Sequence, residues 1–120
     1  MSEPPARRAR AAVFGLALAL IAVFVAWHCA RFSAPTAALI SSLGAAPWLA
    51  LAPRLARGSA DAHLLGLLLT TPYLGYALME VLANPGARPF AAATLFIAFA
   101  LAVALVAGLR LSRRAAAERP

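Results

Sequence analysis

The chain has 120 residues, of which 63% are hydrophobic and only 12% charged, with mean hydropathy +0.82. Soluble domains carry about 25% charged residues, and disordered chains are poor in apolar residues, so neither class fits. Eleven basic residues against four acidic ones give net charge +7, yet the arginines do not gather with aromatics into a nucleic-acid-binding patch. They stand between apolar runs, which points to a lipid bilayer as the partner and not to nucleic acid.

Stretches free of formal charge occupy 11–30, 32–53, 62–79 and 89–109, which are 20, 22, 18 and 21 residues long. A hydrocarbon core of about 30 Å takes about 20 helical residues to cross. None of these runs alternates as a membrane barrel strand does. The expected fold is all-α: one polytopic membrane domain, a four-transmembrane-helix bundle. Its helices are expected near 11–30, 35–53, 61–83 and 89–110, between short, frayed polar tails at 1–10 and 111–120.

The first helix follows Arg7, Arg8 and Arg10. Its apolar run is longer than that of a secretory signal and is not closed by an A-x-A site, so it reads as a retained helix. Trp27, near its end, and Trp48, in the second helix, are expected to anchor opposite membrane interfaces. Cys29 is the only cysteine, which leaves no intrachain disulfide and no cysteine cluster for a metal.

The second segment holds Ser41, Ser42, Gly44, Pro47 and Pro53. A kink is expected at Pro47, and the segment reads either as a full span or as a re-entrant one. Ahead of the third helix, Ser59 suits an N-cap and Asp61 the positive helix end. Asn84-Pro85-Gly86 signals the turn into the fourth helix. Gly15/Ala19 and Ala100/Ala104/Gly108 match small-residue packing patterns.

Four spans bring Arg7, Arg8, Arg10, Arg54, Arg57, Arg110, Arg113, Arg114 and Arg119 to one side, against Arg31 and Arg88 on the other. Positive charge collects in cytoplasmic loops, so both termini are expected to be cytoplasmic, an N-in/C-in topology.

The third helix carries the most chemistry. At about 100° per residue, Gly66, Thr70, Tyr76, Glu80 and Asn84 all lie within about 60° of Tyr73, with His63 at the arginine-rich rim. One face is therefore a polar stripe, expected to point at the other three helices. Glu80 is the only acid within a span, and Tyr76 lies four residues before it, within reach along a helix. A carboxylate facing lipid costs about 3 kcal/mol near the bilayer centre. It avoids that cost near the interface, by protonation, or beside a cation, and His28, Arg31 and Arg88 belong to the same side. Two readings stand: a polar site of His28, Arg31, Tyr73, Tyr76 and Glu80, or an aromatic interface belt with a carboxylate that locks helix packing. No zinc spacing, phosphate loop, nucleophile elbow or carboxylate pair is present, and no cofactor is implied.

The stretch Pro72-Tyr73-Leu74-Gly75-Tyr76-Ala77-Leu78-Met79-Glu80, followed by a short turn and an apolar last helix, resembles a family of small bacterial inner-membrane proteins, domain of unknown function 2069. The family pattern sets an aromatic residue seven positions before a glutamate, as Tyr73 and Glu80 stand here. Trp27-His28 closing the first helix is similar as well. Tyr76 and Ala77 occupy positions where His and Gly are usual in the family. The resemblance implies a four-span protein of a bacterial inner membrane and assigns no activity. The expected function is that of a non-enzymatic accessory or structural membrane component, with a membrane protein or a second copy as partner. The alternative is a small oligomeric transporter or proton-coupled carrier that uses Glu80.

Overall fold

The computed structural model describes residues 5–118. Helix α1 runs Pro5–Arg31, α2 Ala34–Ala56, α3 Ala60–Ala83 and α4 Arg88–Glu118, with a 3-10 turn at Pro85–Ala87 ahead of α4. No strand occurs among the described residues. All four helices are long and apolar enough to cross a membrane. Connections of a few residues force neighbours in the chain to run antiparallel. The molecule is 54 Å long and 28 by 25 Å across, so it overreaches a hydrocarbon core of about 30 Å.

The ends of the helices follow from local chemistry. Ser33 sits in extended conformation ahead of α2 and Pro35 occupies its first turn, where a missing N–H removes nothing. The helix continues unbroken through Pro47 and Pro53. Gly58, at φ +75°, takes the left-handed conformation that lets the chain leave α2 without steric penalty. Ser59 then caps α3, its Oγ accepting from the Ala62 N–H at 3.3 Å. At the far end of α3, Arg88 Nε donates to the Val81 carbonyl at 2.9 Å, satisfying one of the last free acceptors.

The frayed tails expected from the sequence are corrected within the described residues, because 5–10 and 111–118 are helical. Alanine and arginine are among the best helix formers. Passing from an apolar run to an arginine-rich one changes the surrounding medium and leaves the backbone preference intact. Arg119 lies outside the described residues.

The most extensive packing joins α3 to α4 and α1 to α4, whereas α2 touches α3 only sparsely. Leu20 and Phe24 of α1, Trp48 of α2, Tyr73 of α3, and Leu101 and Leu105 of α4 share one core. The outer surface is apolar too: Leu18, Leu43, Leu68, Leu82, Phe96 and Phe99 are 65–76% exposed. Water penalises such a surface and lipid does not.

Two expectations about packing fail. Trp27 and Trp48 are 1% and 3% exposed, so they fill the interior and do not anchor its surface. Their broad rings occupy gaps between helices that alanine-rich neighbours leave open. Gly15 is exposed with nothing near the position of a Cβ, so the Gly15/Ala19 pair marks no close helix approach. Gly108, by contrast, is buried under the ring of His63.

Candidate functional site

The polar stripe of α3 turns inward over most of its length. Its buried residues are Ala62, His63, Gly66, Thr70, Tyr73 and Ala77, spaced by three or four as one helical face requires. Towards the C-terminal end of α3, Tyr76 and Glu80 are half-buried, and Tyr76 meets the last turns of α1.

There the structure brings His28 and Tyr76 together. His28, 1% exposed, places Nδ1 2.8 Å from the Phe24 carbonyl of its own helix. A carbonyl can only accept, so Nδ1 carries the proton. In the neutral ring, Nε2 then accepts from the Tyr76 hydroxyl at 3.2 Å. This bond joins α1 to α3 and orients the imidazole from both sides. Trp27 stacks on Tyr76 with centroids 5.0 Å apart and planes 12° from parallel. Phe32 stacks on His28 at 5.7 Å and 9°, and Phe24 lies 4.2 Å from the His28 ring.

Tyr73 sits one turn earlier on α3, edge-on to Phe24 at 5.3 Å, and its hydroxyl donates to the Gly44 carbonyl of α2. Gly44 stands three residues before Pro47 and next to Leu43, whose carbonyl loses its helical donor to that proline. It must also be small: a Cβ there would lie 2.6 Å from Phe24 Cε1. Between α2 and α3, a cleft of about 370 Å³ opens beside this bond, lined by Phe24, Leu43, Gly44, Pro47, Tyr73 and Tyr76 among others.

Glu80 and Arg31 stand apart from this cluster. Glu80 Oε2 accepts from Asn84 Nδ2 at 3.0 Å, one turn along the same chain. Its partner is a neutral amide and not an arginine. Arg31 is exposed and reaches over the turn into α4, with its Nη1 3.1 Å from where a Gly86 side chain would begin. Of the five candidate residues, then, His28 and Tyr76 share a hydrogen bond. Tyr73 joins them through Phe24, and Glu80 and Arg31 occupy the rim.

Sequence reasoning missed Phe24, which touches both halves of the cluster, and Gly44, the acceptor. The carbonyl that Pro47 frees is that of Leu43, so the sequence carried no direct signal for the neighbouring Gly44. No group of three or more His, Cys, Asp or Glu residues suited to a metal ion occurs among the described residues. No family model, curated protein or solved structure matches the chain, so the family resemblance rests on Tyr73, Glu80 and Trp27-His28.

Proposed function

We propose that this membrane protein is a non-enzymatic accessory or structural component of a bacterial inner membrane, with both termini cytoplasmic. One observation carries the accessory reading: Tyr73, Tyr76 and His28 of the candidate site are engaged in holding helices together. Tyr73 ties α3 to α2, Tyr76 ties α3 to α1 through His28, and Glu80 closes the end of α3 through Asn84. Groups fixed in this way position helices, and the apolar outer surface is left to meet lipid, a membrane-protein partner or a second copy. The reading is tested by deleting the chain and resolving the native membrane complexes of the cell in mild detergent. A complex that shrinks or disappears, and returns with the intact chain, supports it; an unchanged set of complexes removes it.

The orientation is supported by the bias of nine arginines against two. Cys29 is exposed near the end with few arginines and is the only cysteine. A membrane-impermeant maleimide labels it in intact spheroplasts if both termini are cytoplasmic. Labelling only after lysis reverses the assignment.

A second reading, a proton-coupled carrier, draws on the neutral partner of Glu80. A half-buried carboxyl whose hydrogen-bond partner is an amide holds no cation of the fold's own against it among the described residues. That reading expects Glu80→Gln to abolish flux in vesicles while the fold persists, and unchanged flux removes it.

A further inference from the structure

The opposite end of the bundle holds a cavity that the candidate site does not use. It measures about 270 Å³ and lies where the start of α1, the α2–α3 turn and the end of α4 meet. Arg10, Arg57, His63 and Ser112 line it, together with Gly58 and Gly108. Its architecture is fixed from below. Ser112 Oγ donates to the Gly58 carbonyl at 2.7 Å, pinning α4 to the turn, and the left-handed Gly58 leaves room for Arg10, whose Nη2 is 3.5 Å from the position of a Cβ.

His63 is the telling residue. It is 4% exposed, and its Nδ1 is 2.7 Å from the Ser59 carbonyl, which again places a proton on Nδ1. Its Nε2 has no hydrogen-bond partner among the described residues. This atom lies against Gly108, 2.7 Å from where a Cβ would stand, in the wall of the same cavity. An imidazole with one nitrogen committed and the other at a cavity wall keeps that second nitrogen available to a ligand. The charges facing that space are Arg10 and Arg57. Asp61 is exposed and points about 200° around α3 from His63. The three cavity-facing groups are therefore two guanidiniums and an imidazole that becomes a cationic donor when Nε2 takes up a proton.

We propose that this cavity is a binding site for a phosphate group, held by Arg10 and Arg57 from the rim and by His63 Nε2 from the wall. Guanidinium forks match phosphate oxygens in pairs. The arginine-rich turns border the apolar spans, at the depth where phospholipid headgroups lie, and basic pockets between helices at that depth hold anionic lipid headgroups. The same chemistry accepts a free phosphate ion, so the experiment separates the two sources.

The full chain in a neutral mild detergent is titrated with dioctanoyl phosphatidylglycerol and, separately, with inorganic phosphate, and binding is read by native mass spectrometry and by the nitrogen shifts of His63. Saturable one-to-one binding of the lipid alone assigns a headgroup site, and binding of inorganic phosphate assigns an ion site; either supports the proposal if the His63 nitrogens respond. Arg57→Gln is expected to weaken binding at least tenfold, while Arg113→Gln, an exposed arginine away from the cavity, changes it less than twofold. Absence of binding by both probes, a silent His63, or equal weakening by Arg113→Gln overturns the proposal.

Discussion

The two ends of the bundle solve the same problem in opposite ways. Each places a buried histidine against a backbone carbonyl one turn earlier, His28 on Phe24 and His63 on Ser59. At the aromatic end the second nitrogen finds Tyr76, and Trp27, Phe24 and Phe32 close around the ring. At the arginine-rich end the second nitrogen faces a cavity rimmed by Arg10 and Arg57. A histidine whose hydrogen bonds are complete within the fold serves packing. A histidine left half-paired beside positive charge points outward to an anion. The surroundings, and not the residue type, separate a structural imidazole from a binding one.

Substitutions at the aromatic end test its packing role in order of size. Trp27→Ala removes the largest fully buried side chain and is expected to cost about 3 kcal/mol, measured by unfolding in mixed detergent micelles with Trp48 fluorescence as the reporter. Gly44→Ala comes next. Its new Cβ meets a Phe24 ring that His28, Trp27 and Tyr73 hold in place, so a loss of about 2 kcal/mol is expected from overpacking in the same assay. Tyr76→Phe leaves His28 Nε2 without its donor and should cost about 1 kcal/mol, in keeping with the modest strength of hydrogen bonds between membrane helices. Arg57→Gln, at the other end, should change stability by less than about 0.5 kcal/mol. A loss there as large as that of Tyr76→Phe would erase the contrast between a packing end and a binding end.

How much of this was legible in the sequence depends on the kind of residue. The four helices follow from charge-free runs, and the inward face of α3 follows from the spacing of Gly66, Thr70 and Tyr73. The burial of Trp27 and Trp48 was not legible. In lipid an apolar side chain is equally at home inside the bundle or outside it, so hydrophobicity carries no direction and only polar or small residues do. The aromatic-belt rule therefore misplaced both tryptophans. For Glu80 the sequence leaves three ways open: an interface position, protonation, or a cation on the same side, such as Arg31 or Arg88. The structure gives it Asn84 instead, a partner four residues away that needs no rearrangement of other helices. His63 was read as a rim residue because nothing in its own helix shows that Gly108, 45 positions later in the chain, leaves a recess for its ring.

The pairing of helices also has a consequence in time. The main neighbour of α1 is α4, not the adjacent α2, so α1 leaves the ribosome with two helices still to come before the one that covers it most. Until then its buried stripe of Val13, Leu20, Trp27 and His28 faces lipid without its intended cover. The α1–α2 hairpin must persist on its own through the synthesis of α3, and the bundle closes only when α4 arrives.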